Sequence, residues 1–368
     1  MKTVIITDGK YRSSIPAARA LGRAGYNVVV TQTRGDDGST PPVFCSKYVA
    51  ESRWIEGFAA DEDYPARLMA LIGEYERPVL FCVGAVSLNR VSQHRDEFSK
   101  LCDFLIAPPE TLDALNDKEQ VHAHSVRLGL PVPKQYSGAP EEYPVIIKPH
   151  CGEKFGLKAK DRYAIANDPD QFEKKLAAMA KYDPSPIIQR RVEGDGAGVS
   201  LLLGSKGELL CALCHRRIRE YPVTGGPSTC CVSFYNDNMI SDAYALLKSF
   251  NFTGMAMVEF KGKYILEVNP RVWGSFPMTE CARTGFTLRY AAACAGQAME
   301  YVPGGYDVGV KMRFTLNDTV ATLGYFGAGR FAEGFRGIGD AFSAQEALRA
   351  DDDPAPFKAY LKNAITRK

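Results

Sequence analysis

Short apolar runs alternate with helical stretches through roughly the first hundred residues. Runs at 4–7, 28–31, 79–83 and 104–107 flank a helical pattern near 14–24 that Gly25 closes. Strands alternating with helices predict a parallel, open α/β sheet. The register then changes. Asp117 is placed to cap a helix, with Gln120 completing a capping-box pattern, and the helix should run to Leu128 before Gly129-Leu130-Pro131-Val132-Pro133. Beyond Pro144 the pattern reads strand (145–148), glycine-containing loop (149–160), helix opened by Asp168 and Pro169, and strand (187–190). Further strands are expected at 199–203, 209–213, 229–234, 255–260 and 264–268, with tight turns at 204–207 and 261–263. Tight turns force antiparallel pairing, so the second half is α+β. The tail from about Gly304 reads as a small appended segment, with a turn at 351–354.

Length and composition narrow the function. A chain of 368 residues suggests two or three domains. Its net charge of +2 gives no reason to expect nucleic acid or an anionic membrane as partner. No apolar stretch approaches the length of a membrane span, and the opening Met1-Lys2 with its short apolar run does not read as a signal peptide, so a cytoplasmic protein is expected. The scattered cysteines suit free thiols in a reducing compartment. Two nucleotide motifs are missing: no G-x-G-x-x-G follows the first strand, and Gly9-Lys10 lacks the rest of a P-loop.

Chemistry concentrates near residue 260. Glu259 ends one apolar strand, and Glu267 and Asn269 lie two apart on the next, pointing one way with Ile265 beside them. Glu259 shares that face only if the turn holds three residues or a bulge restores the parity. Two carboxylates in apolar strands call for a cation, and carboxylate and amide oxygens suit Mg2+; the plainer reading is a solvated outer face.

Glu259 and Leu266-Glu267-Val268-Asn269-Pro270-Arg271, with the residues around them, resemble the ATP-grasp superfamily. The run 269–275, Asn-Pro-Arg-Val-Trp-Gly-Ser, resembles more narrowly its carboxylate–amine ligase (carboligase-type) branch. The resemblance implies ATP with Mg2+ held by Glu259, Glu267 and Asn269, and a phosphate contact from Arg271. It also implies two phosphate-binding lysines, Lys118 after the cap and Lys148 at a strand end, although a lysine ending a strand can simply reach solvent. Lys154 and Lys158, in the glycine-containing loop, would add charge to a closing lid. Gln189 would meet adenine, and Glu193 or Asp195 the ribose, at an interdomain hinge.

The implied fold is α/β plus α+β: a Rossmann-like N-terminal domain (1–110), an ATP-grasp domain (111–303) with a lid subdomain at about 134–192, and the appended segment (304–368). The implied reaction joins a small carboxylate, an amino acid by expectation, to an amine through an acyl phosphate, releasing ADP and phosphate. A homodimer is left open. A bicarbonate-activating carboxylase and a non-catalytic ATP-binding regulator are the alternatives.

One further cluster runs from His215 to Thr229. Arginine forks suit a substrate carboxylate, and Arg217 and Arg219, two apart on one strand, are favoured over Arg216, with the Gly225-Gly226 turn offering amides; a basic surface strand would also explain the arginines. Cys211 and Cys214 should face opposite sides of a strand, which disfavours zinc. His122 and His124 cannot share a metal.

Overall fold

The computed structural model describes residues 2–35, 39–150, 157, 163–223, 226–297 and 299–366. The first sheet contains β1 (Thr3–Ile6), β2 (Asn27–Thr33), β3 (Glu51–Ile55) and β4 (Val79–Phe81), all parallel in the order β3-β2-β1-β4. Helices α1 (Ser14–Arg23), α2 (Tyr64–Ile72), α3 (Ala85–Gln93) and α4 (Arg95–Leu101) complete the region. Val4, Ile5, Ile6, Val28, Val29 and Val30 are wholly buried, which is why these strands read as unbroken apolar runs. β3 lies at the sheet edge with Glu51 and Ser52 exposed, so its sequence carries no such run. Residues 104–107 are buried or nearly so, yet they do not form the expected strand. Only Asp103 bridges to Val79, and the Leu105 amide donates to the Tyr290 hydroxyl at 3.2 Å instead of to a ladder.

Helices α5 (Pro109–Asn116) and α6 (Lys118–Arg127) follow. Asp117 caps α6, its carboxylate accepting from the Glu119 and Gln120 amides at 2.8 and 3.1 Å. A small antiparallel sheet then forms from β5 (Gln135–Tyr136), β6 (Val145–Lys148), β7 (Ala164–Ala166) and β8 (Ile187–Arg190), in the order β5-β8-β6-β7. Helix α7 (Pro169–Met179), capped by Asp168, seals its core with Phe172 and Met179.

The largest sheet contains β9 (Gly196–Leu203), β10 (Leu209–Glu220), β11 (Ser228–Phe234), β12 (Gly254–Lys261) and β13 (Tyr264–Asn269), extended by β14 (Lys311–Arg313) and β15 (Gln345–Glu346). Its order is β13-β12-β9-β10-β11-β14-β15. Helices α8 (Asp237–Ser249), α9 (Pro277–Cys281), α10 (Phe286–Cys294), α11 (Thr315–Gly327), α12 (Phe331–Ser343) and α13 (Ala355–Thr366) accompany it. One face, bearing Val199, Leu201, Ala256 and Val258, packs on α8. The other packs Leu202, Leu213, Met255 and Met257 with Trp273, Phe276 and the first sheet's Val4 and Ile6. Cys211 and Cys214 fall into these opposite cores, as their spacing predicts. Among the described residues no helix is long and apolar enough to cross a membrane.

Candidate functional site

The second face of the large sheet changes character along its strands. Toward one end it is apolar and docks on the first sheet; toward the other it carries charge. The crossover follows from two β-bulges and two glycines.

The first bulge lies in β13. Glu259 is opposite Glu267, but the next pairs are Phe260 with Ile265 and Lys261 with Tyr264, so Leu266 is the extra residue. A two-residue turn, Gly262-Lys263, would have put the two glutamates on opposite faces, and the bulge brings them together with Asn269. It also sends Ile265 to the other face, into the core with Val258, Phe260 and Val268, rather than beside Glu267 as the simple alternation predicts.

The second bulge lies in β10. Arg217 pairs with Cys231 and Arg219 with Cys230, so two steps on one strand match a single step on the next. The shared parity expected for Arg217 and Arg219 is therefore broken. Arg217 turns to the charged face, where its Nη2 donates to Glu259 Oε2 at 2.5 Å. Arg219 turns away into a buried cluster with Asp318 and Asp340.

Arg217 reaches Glu259 by crossing β9 at Gly196. A Cβ there would stand 3.2 Å from Arg217 Cδ, and one on Gly198 would strike His215 at 2.5 Å and Met257 at 2.8 Å. Gly196 and Gly198 thus make a low floor between the charged side chains. The signal in the sequence, two glycines alternating in a strand, passed without a role in the residue reading. So did His215, buried beneath this floor with its Nε2 2.9 Å from Ser275 Oγ. Burial, with Arg217 nearby, pushes its pKa down to about 3, so the ring is neutral.

Carboxylates directly opposite on adjacent strands repel unless cations intervene. Here Lys118 Nζ sits 3.0 Å from Glu267 Oε2, Arg217 holds Glu259, and Asn269 Nδ2 donates to Glu259 Oε1 at 3.2 Å. Burial lifts the Glu259 carboxyl above its usual range, the Glu267 charge adding to the effect against Arg217. Burial acts the same way on Glu267, but Lys118 and Lys148 outweigh it and hold that carboxyl low. Lys148, at the end of β6, is depressed to about 8, chiefly by burial; the Glu267 charge opposes this and Lys118 adds to it.

The lysines come from different parts of the chain. The Lys118 amide donates to the His150 carbonyl at 3.4 Å, joining the start of α6 to the end of β6. His150 bridges Asp183 and Glu119, at 2.9 and 2.7 Å from its two ring nitrogens. Burial works against its charge, yet the two carboxylates prevail and raise its pKa.

Arg271 is half-buried, with Nη1 donating to the Val272 carbonyl at 3.2 Å. Gln189 is buried in β8, and Glu193 is exposed in the segment leading to β9. There the chain passes close to the β12–β13 turn: a Cβ on Gly194 (φ +119°) would stand 2.7 Å from the Gly262 Cα. Lys154, Lys158 and Gly225 lie outside the described residues. No group of three or more His, Cys, Asp or Glu is arranged for a metal among the described residues; the oxygen set here is two carboxylates and an amide.

Comparison with known proteins agrees with this architecture. No match is found among curated proteins. Among solved structures, a Campylobacter jejuni biotin carboxylase in complex with β,γ-ATP is 15% identical, with 84% of this chain and 74% of that one covered at a TM-score of 0.63. The biotin carboxylase domain of Hydrogenobacter thermophilus 2-oxoglutarate carboxylase, a dimer in complex with MgADP, ADP and bicarbonate, is 13% identical, with 84% and 73% covered and a TM-score of 0.63. The biotin carboxylase subunit of a pyruvate carboxylase is 11% identical, with 84% and 74% covered and a TM-score of 0.59. At such identities the likeness is one of fold. Residues 115–275, which hold Lys118, Lys148, Glu259, Glu267, Asn269 and Arg271, match the family model of the ATP-grasp domain, so this part of the chain is an ATP-grasp domain.

Proposed function

We propose that the protein is an ATP-dependent carboxylate–amine ligase that forms an amide through an acyl phosphate and releases ADP and phosphate. The observation that carries this reading is the gathering of Glu259, Glu267 and Asn269 on one face with Lys118, Lys148 and Arg217 around them. The oxygen donors fit Mg2+, which prefers a few protein oxygens together with phosphates and water. Mg2+ held by Glu259, Glu267 and Asn269 would supply charge neutralisation at the transferring phosphoryl group.

The remaining steps belong to side chains. Lys118 and Lys148 draw the phosphates onto the sheet, and Lys118 exchanges its bond to Glu267 for a phosphate oxygen. Arg271 reaches the phosphates from the loop after β13. Lys154 and Lys158 add charge over them, while Gln189 meets adenine and Glu193 the ribose. Arg217 donates its Nη2 to Glu259, and its Nη1 edge lies 3.9 Å from Glu220. That edge receives the substrate carboxylate, whose oxygen attacks the γ-phosphorus and displaces ADP. The amine then adds to the acyl carbon, phosphate leaves, and the amine proton passes to solvent. No enzyme nucleophile is needed, and the acceleration is electrostatic positioning.

Activation of bicarbonate is a second reading, favoured by the biotin carboxylase fold of the similar structures. One assay separates the two: ADP and phosphate release with Mg-ATP and pools of carboxylic acids and amines, with and without bicarbonate. The ligase reading expects release that needs an acid, with amide formed when an amine is added. Release with bicarbonate alone favours the second reading, AMP as product rejects both, and binding without turnover across all pools leaves only a regulatory binder.

A further inference from the structure

Helix α12 presents apolar side chains outward. Its inward face is set by small residues: a Cβ on Gly337 would stand 2.5 Å from Thr322 Oγ1, and one on Gly334 would stand 2.7 Å from the Phe326 ring, so α12 lies hard against α11. Asp340, also inward, accepts from Arg219 at 2.6 Å. At 100° per residue, Phe331, Phe335, Ile338 and Phe342 fall within an arc of about 60°, whose edge toward α11 is marked by Phe331 and Phe335 meeting the Phe326 ring at 6.2 and 5.3 Å between centroids. With Leu323 of α11 these side chains are between 49% and 90% exposed, Phe342 the most.

We propose that this face is the twofold interface of a homodimer, covered by α12 of a second copy. Two properties point to a copy of the same chain. The apolar positions are spaced four, three and four residues apart, a series that reads the same in both directions. Two such helices packed antiparallel about a twofold axis near 336–337 place Phe331 opposite Phe342, and Phe335 opposite Ile338, twice over. That is the self-complementarity an isologous contact requires. The second property is area. A large side chain exposed to this degree leaves on the order of 100 Å² uncovered. The patch therefore amounts to several hundred Å², the size of the largest and often functional apolar patch on a monomer, and a large part of the ~800 Å² per partner of a stable interface. The flanking charges favour a protein partner over a lipid surface: Arg330 is paired with Glu333 at 2.7 Å, which leaves Arg336 as the one further exposed cation on α12, short of the basic cluster an anionic surface attracts.

Sedimentation equilibrium of the full chain tests this, with Phe342→Glu and Ile338→Glu as variants. Phe342 is 90% exposed, so its replacement leaves the fold intact, which a circular dichroism melt verifies. The expected result is a wild-type dimer whose dissociation constant rises by about 100-fold or more in either variant, because each substitution enters the contact twice. A wild-type monomer at tens of micromolar overturns the proposal, as does a dimer that both variants leave unchanged. Wild-type monomer that cosediments with phosphatidylserine vesicles, with Phe342→Glu abolishing this, would assign the face to a membrane instead.

Discussion

Arg217 and Arg219 are two residues apart on one strand and serve opposite ends. Arg219 is 1% exposed, and its guanidinium meets Asp318 at 2.8 and 2.9 Å and Asp340 at 2.6 Å. Those acids are supported in turn, Asp318 by Thr229 Oγ1 at 3.0 Å and Asp340 by Lys311 at 2.7 Å. Arg217 is 23% exposed, holds one carboxylate, and faces a row in which two glutamates stand directly opposite each other. The first cluster is saturated and belongs to the architecture. The second has more charge than internal bonds can use, as a site that will accept phosphates and a cation should. A bulge of one residue separates them.

The contrast can be broken in several ways. Arg219→Met strands two buried acids and should lower stability by about 3–5 kcal/mol. The readout is the urea midpoint, and an unchanged midpoint would mean that the cluster does not hold the C-terminal helices to the sheet. Arg217→Met should weaken acid-dependent turnover by about 2 kcal/mol, roughly 30-fold, while the urea midpoint falls less than in Arg219→Met because the pair it breaks is partly solvated. Equal losses of stability in the two variants would erase the distinction.

Lys148 sharpens the comparison through pH. Its folded pKa, about 8, lies below the ordinary 10.5, so between those values the unfolded chain binds more protons and stability rises with pH. Attraction for an anionic nucleotide runs the other way, since the ammonium is lost as pH climbs through about 8. ATP affinity should therefore fall several-fold between about pH 7 and about pH 9, and Lys148→Met should flatten that slope. A wild-type slope retained in the variant would assign it to another group. The smallest effect is expected at Arg216, whose 3.2 Å pair with Asp195 is exposed. Arg216→Ala should change both midpoint and turnover by less than about 0.5 kcal/mol.

Much of this was legible in the sequence, and the limits were physical. The buried strands β1, β2 and β4 announced themselves because both faces are apolar, whereas the polar edge strand β3 did not. Glu259, Glu267, Asn269, Lys118 and Lys148 were named from a resemblance and from charges in apolar strands. Period-two alternation, however, says nothing of bulges. It therefore left the parity of Glu259 open, placed Ile265 on the wrong face and paired Arg219 with Arg217. The glycine floor at 196 and 198 and the buried His215 depend on contacts across three strands, which no local pattern reveals.

The central claim is that the Glu259–Glu267–Asn269 face handles ATP through a cation. Glu267→Gln tests it most directly, because it removes a charge with little change of volume. ADP release would be followed against Mg2+ concentration in wild type and variant, alongside a urea titration of each. The account expects turnover in the variant to fall by about 1,000-fold or more with the midpoint close to wild type. Unchanged Mg2+-dependent turnover in Glu267→Gln would contradict it.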